Sequence, residues 1–214
     1  MAPRNHKSVS KNRRNTPRAA QARPVGMRII GGDFRGRKLR YGGDQRVRPM
    51  KDRVRESLFN LIGPAIEGKH AIDLFGGTGA LGLEAISRGA VAATITEQHY
   101  PTAKILRENV ATLQIEPLVE TITADVFIWF RRGPKLPKTP WVVFCSPPYD
   151  FYVDRADDLL ELIGGLMDAA PPQSIFAVES DTRFDFDRLP KAQEWDIRPY
   201  HPAVVGIYVK KEDR

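Results

Sequence analysis

The chain has 214 residues, 42% of them hydrophobic, and a formal net charge of +7. That length fits one domain with an extension and can bury a sizeable core, while no apolar run approaches the ~20 residues of a membrane span. One cysteine, Cys145, excludes an intramolecular disulfide and a cysteine-held zinc or iron–sulfur centre, so a cytoplasmic protein without a metal is expected.

Residues 1–26 hold seven Lys or Arg and no acid, which accounts for the whole excess charge. They are polar and nearly without apolar side chains, so the tail is expected to be disordered and to attract nucleic-acid phosphates nonspecifically. It resembles an organellar transit peptide in being Arg-rich, but Pro3, Pro17 and Pro24 oppose an amphipathic helix. Residues 27–56 carry ten basic against four acidic side chains, and residues 57–214 carry 16 against 22. Two strand-like runs, Arg28 to Ile30 and Arg37 to Tyr41, flank Gly-Gly-Asp-Phe and predict a hairpin with a basic outward face. Val54, Leu58, Leu61 and Ile62 predict a helix over 52–62 that Gly63-Pro64 ends. Strands over 70–75, 92–97, 119–123, 141–145 and 174–179 then alternate with helices over 80–88, 99–113, 126–131 and 154–169. Strands over 196–200 and 203–210 close the chain. The pattern predicts an α/β fold: a parallel, right-handed wound sheet with an antiparallel C-terminal edge hairpin. Domain bounds follow as a tail (1–26), a hairpin and helix extension (27–63) and a sheet domain (64–214).

Asp73 to Ala85 reads DLFGGTGALGLEA, a strand end, a glycine loop and a helix start. Glycines at 76, 77, 79 and 82 let backbone approach a ligand, and the helix N-terminus offers unpaired N–H groups. The cofactor-binding candidates here are Asp73, Phe75, Gly76, Gly77, Thr78 and Gly79. Gly77 to Gly82 is also a literal GxGxxG with Glu97 20 residues beyond its first glycine, which admits a dinucleotide site. Asp73 either positions the loop or a cationic part of the ligand, or caps the strand end. Glu97 is suited to accept hydrogen bonds from ribose hydroxyls.

The run 141–145 stops at Ser146-Pro147-Pro148-Tyr149, because proline cannot continue a ladder. A loop without N–H groups at two positions presents carbonyls and the Ser146 hydroxyl as acceptors beside the Tyr149 ring. That is a cradle for a flat amine, of which hydride transfer has no need. Cys145 reads as a small buried side chain rather than a nucleophile. Glu179, in AVESD, either shapes the pocket for a base or sits in a surface loop.

Together DLFGGTGALGLEA and SPPY resemble the S-adenosylmethionine-dependent amino-methyltransferases. RIIGGDFRGRKL, Arg28 to Leu39, and RPMKDRVRESLFN, Arg48 to Asn60, narrow the resemblance to the RsmD-like 16S rRNA guanine-N2 methyltransferases, from about Met27 to the C-terminus. The resemblance implies a seven-stranded class I fold, S-adenosyl-L-methionine as cofactor, and ribosomal RNA or a small-subunit assembly intermediate as partner of a monomer. It implies catalytic roles for Ser146, Pro147, Pro148 and Tyr149 and an adenine-amino contact for Asp125, a residue that fits equally well as the N-cap of the helix at 126. RsmD-like proteins usually carry Asp where this chain has Ser146, a choice also seen among cytosine-N4 DNA methyltransferases. A DNA amino-methyltransferase and a non-catalytic RNA-binding assembly factor of the same fold are therefore the alternatives. The target base must be unstacked to reach the pocket. Its flanking phosphates are expected on the hairpin and on Arg46 to Arg55, with Arg28, Arg35, Arg37, Lys38, Arg48, Lys51 and Arg53 as contacts.

Overall fold

A computed structural model describes residues 26–42 and 50–212, so the expectations for the tail 1–25 and for Arg46 and Arg48 lie outside the described residues. Apolar runs with side chains directed to both faces set the architecture. In strands β3 (His70–Asp73), β6 (Trp141–Cys145) and β7 (Ile175–Asp181), alternate residues enter two separate cores. Ala71, Val142, Phe144, Ile175 and Ala177 face one core, while Ile72, Val143, Cys145, Phe176 and Val178 face the other. With β4 (Ala92–Thr96), β5 (Val119–Ile122), β8 (Asp196–Tyr200) and β9 (Ala203–Val209) the strands form one sheet in the order β5-β4-β3-β6-β7-β9-β8. The first five are parallel, and β9 runs antiparallel to both β7 and β8. The strand order reverses between β3 and β6, so the loops after those strands emerge side by side at the switch point where open α/β sheets bind ligands.

Helices α1 (Asp52–Ile62), α2 (Ala80–Ser87) and α3 (Tyr100–Leu113) contribute to the first core. Helices α4 (Val126–Arg131), α5 (Phe151–Asp154) and α6 (Ala156–Ala169) contribute to the second. The helix expected over 154–169 is α6, two residues shorter at its start, and the short α5 precedes it with Arg155 (φ −134°, ψ 30°) between the two. The break serves packing. Arg155 places its guanidinium 3.9 Å from the centre of the Phe127 ring and 3.2 Å from Asp125, while the extra turn buries Tyr152. Strand β7 outlasts its expected end because β9 pairs with it from Ile175↔Val209 to Asp181↔Ala203.

The expected hairpin forms, but only as the two-residue strands β1 (Met27–Arg28) and β2 (Lys38–Leu39). Its loop bonds to α2 as well as to itself. The Glu84 carboxylate accepts from Ile30 N (2.7 Å) and Gly31 N (2.8 Å), and Ser87 accepts from Phe34 N at its hydroxyl and from Asp33 N at its carbonyl. Asn109 of α3 holds Arg40 by backbone N–H and carbonyl, and also donates to Thr78 O in the glycine loop. The extension is therefore stitched to the two helices that follow β3 and β4.

Arg55, placed by its charge on the RNA-facing surface, is instead fully buried. Its Nη2 donates to Arg28 O (2.7 Å) and Asp52 Oδ1 (3.0 Å), and its Nε lies 4.0 Å from Glu84 Oε2. Nε and Nη1 have no hydrogen-bond partner among the described residues, and burial lowers the guanidinium pKa against the pull of Asp52 and Glu84. Glu84, also fully buried, takes a further bond from Arg88 Nε at 2.8 Å. Glu84→Ala would strand a buried cation and two backbone N–H groups. It is expected to lower stability by about 3–5 kcal/mol in urea unfolding, and to open residues 26–62 to proteolysis before the sheet.

Candidate functional site

At the carboxyl ends of the parallel strands lies a cleft of about 750 Å³. Every cofactor candidate except Gly79 lines it: Asp73, Phe75, Gly76, Gly77, Thr78, Glu97 and Asp125. Ser146, Pro147, Pro148 and Tyr149 line it from the neighbouring strand, with Glu179 from β7. The extension adds Met27, Met50, Lys51 and Val54, a wall the sequence reading did not foresee. Phe127 and Phe151 were missed as well; with Phe75 they form a cluster of rings 6.0 to 6.3 Å apart. The available signal was an aromatic two residues after each strand-end motif, which on its own reads as core.

The glycines have two different jobs. Gly77, at φ 54°, faces the cleft and gives its N–H to Glu97 Oε2 at 3.0 Å. A Cβ on Gly76 would sit 2.1 Å from Ile95 Cγ2, and one on Gly82 2.5 Å from Ile95 Cδ1. One on Gly79 would meet Leu106 and Leu83 at 2.6 and 2.8 Å, and its φ of 94° is unfavourable to any side chain. Gly79 itself caps α2 and lets the loop settle onto α3, outside the cleft lining.

Three carboxylates line up along the strand ends. Asp73 accepts from Gly82 N at 3.0 Å through Oδ2, but its buried Oδ1 has no hydrogen-bond partner among the described residues. Burial raises its pKa to about 7, against the backbone bonds that lower it. Glu97 accepts from Gly77 N and, at 2.7 Å, from His99 N, and burial raises its pKa as well. Asp125 is the N-cap of α4, accepting from Phe127 N at 2.8 Å and Ile128 N at 3.2 Å, so the capping alternative holds in structure. Its other oxygen takes the Arg155 guanidinium.

In the SPPY loop, Ser146 Oγ donates to Glu179 Oε2 at 2.5 Å and the Tyr149 hydroxyl donates to Glu179 Oε1. Glu179 is thus a cleft residue and not a surface loop. Cys145 is buried, with its thiol pushed up to about 12 by desolvation, which removes it as a nucleophile. Of the basic candidates among the described residues, only Lys51 lines the cleft. Arg28 is exposed and lies 3.5 Å from Asp52, and Arg37 bonds Thr112 O near the far end of α3. Arg35, Lys38 and Arg53 are exposed.

The family model described as Conserved hypothetical protein 95 matches residues 27–200. Ribosomal RNA small subunit methyltransferase D of Escherichia coli is 37% identical over 166 residues, which cover 77% of this chain and 79% of that protein. Among solved structures, a putative methyltransferase from Escherichia coli superposes with a TM-score of 0.73 at 30% identity, covering 88% of this chain and 99% of that one. A Thermus thermophilus 16S rRNA N2 methyltransferase, solved with AdoMet and guanosine, shares the fold at 18% identity with a TM-score of 0.62, covering 80% of this chain and 45% of that one.

Asp73 makes the ligand-free protein pH-sensitive. Its folded pKa of about 7 stands above its ordinary 3.8, so the folded state holds the proton more tightly. That stabilisation is complete below about pH 4 and is lost as pH rises to 7, on the order of 4 kcal/mol. Urea unfolding of wild type and Asp73→Asn between pH 4 and 8 should show a difference in stability that grows across this window; parallel curves would place the proton elsewhere.

Proposed function

The chain belongs to the ribosomal RNA small subunit methyltransferase D family, and on that premise we propose that it transfers a methyl group from S-adenosylmethionine to the N2 amine of a guanine in small-subunit ribosomal RNA. The observation that carries this reading is the meeting, in one cleft at the β3/β6 switch point, of a glycine loop above a buried, half-satisfied carboxylate and an acceptor-rich SPPY loop.

The donors and acceptors present fit that cofactor. Asp73 Oδ1, buried with no hydrogen-bond partner among the described residues, suits a cation, and the sulfonium and ammonium of S-adenosylmethionine are cations. Glu97, fixed by Gly77 N and His99 N, has lone pairs left for ribose hydroxyls. Asp125 with the Phe127 and Phe75 rings offers an acceptor and flat apolar walls to an adenine. Bound there, S-adenosylmethionine supplies a methyl carbon that is already electrophilic, so the protein's contribution is alignment and a local field.

That contribution falls to the SPPY loop. Guanine's exocyclic amine is a poor nucleophile because its lone pair is delocalised into the ring. Ser146 Oγ and the Pro147 carbonyl accept its N–H bonds and favour the pyramidal form in which that lone pair is localised. Tyr149, tied to Glu179, offers its ring for stacking on the unstacked base. The cluster of Phe75, Phe127 and Phe151 keeps water from one side. The amine's surplus proton leaves to solvent once the bond to carbon has formed. Lys51, on the cleft wall, and the exposed Arg53, Arg28, Arg35, Arg37 and Lys38 provide the cationic surface for flanking phosphates.

Ser146→Ala is expected to lower the single-turnover rate of methyl transfer into small-subunit RNA by ~10² while leaving cofactor affinity unchanged. Tyr149→Ala should instead weaken RNA engagement by about 1–3 kcal/mol. Transfer at the wild-type rate in Ser146→Ala would mean that the amine is held by the Pro147 carbonyl and other groups.

A further inference from the structure

Glu179 presents a buried carboxylate to the SPPY loop, with only 6% of its surface exposed. It projects from β7, whose Val178 is paired with Cys145, the residue just before the loop. Tyr152 of α5 locks its backbone by donating to Glu179 O at 2.9 Å. An ionised carboxylate has only acceptors, so the protons on the Ser146 and Tyr149 hydroxyls must both point at it. With its single proton committed, Ser146 Oγ has nothing but lone pairs to offer a ligand in the cleft.

This proton assignment has a consequence for base choice, and it deepens the guanine reading above. Beside its exocyclic amine, guanine carries a ring N–H, whereas adenine and cytosine carry a ring nitrogen with a lone pair. A pocket wall that only accepts, backed by a buried negative charge, matches the first edge and repels the other two. We propose that Glu179 is a positioning and specificity residue of this site: by holding the Ser146 proton away from the cleft, it makes the pocket accept an amine that stands beside a ring N–H, as guanine's does, rather than beside a ring lone pair.

Substitution with glutamine tests this at nearly constant shape. An amide accepts at one end and donates at the other, so one of the two hydroxyls must turn its proton elsewhere, and Ser146 Oγ no longer faces the cleft as a pure acceptor. The substrate is small ribosomal subunits from cells lacking the protein, with tritiated S-adenosylmethionine at saturation and the labelled nucleoside identified after digestion. Glu179→Gln is expected to cut the single-turnover rate by ~10² with unchanged cofactor affinity, and Glu179→Asp to recover part of the loss.

Wild type carries a second readout. Burial raises the Glu179 pKa, against the two hydroxyl bonds that lower it, so the rate should fall on the acid side above the ordinary glutamate range. Glu179→Gln should lack that limb. Asp181 on the same strand adds repulsion, whereas Cys145 and Tyr152 have raised pKa values and stay neutral there; Tyr149 is the remaining ionisable contact. A wild-type rate and an unchanged acid limb in Glu179→Gln, with guanine still the labelled base, would overturn the role of Glu179 and leave the guanine reading standing. Label on adenine or cytosine in wild type would overturn both.

Discussion

One buried carboxylate, Glu84, decides whether the cleft has its full set of walls. It projects from the helix that follows the glycine loop and takes hydrogen bonds from two consecutive backbone N–H groups of the hairpin, the Arg88 side chain and the field of a buried Arg55. Arg55 in turn grips the carbonyl of Arg28 and the first residue of α1. The chain of contacts fixes β1 and α1, and those elements deliver Met27, Lys51 and Val54 to the cleft. Buried ion networks seldom add net stability, but they penalise every other arrangement heavily. Here the arrangement so enforced is the seat of the N-terminal hairpin and helix α1 beside the cleft.

The glycine loop shows how one motif serves two ends. Gly76, Gly79 and Gly82 are small because Ile95, Leu83 and Leu106 occupy the space a Cβ would need. That tight seating brings the loop against β4, where Glu97 receives the N–H of Gly77. It also leaves Asp73 under the loop with one oxygen satisfied and one not. Packing glycines thus create the electrostatic feature that a cationic ligand can use.

Much of this was legible in the sequence, for identifiable reasons. The helix over 52–62 and the strand over 141–145 have the bounds read from periodicity and their Gly-Pro and Pro-Pro stops. Parallel alternation put the two motifs at the ends of two strands of one sheet, which pair side by side, and the resemblance carried by the hairpin and SPPY blocks matches the family found. The misreadings share a cause: sequence shows a residue's type but not its partner. Arg55 looked like surface charge because its compensating Glu84 is 29 positions away, and the break at Arg155 depends on Phe127 and Asp125 from a different strand end. Glu179 was ambiguous until β7 was seen beside β6. The hairpin strands are short because their loop is hydrogen-bonded by α2, a competition that local propensity does not register.

The central claim is that this site methylates the N2 amine of a guanine in small-subunit ribosomal RNA, and nucleoside mass spectrometry tests it most directly. Small-subunit RNA from cells with and without the protein should differ by one N2-methylguanosine, restored by the wild-type chain. RNA with the same N2-methylguanosine content in both, or a missing methyl on adenine or cytosine, would contradict the account.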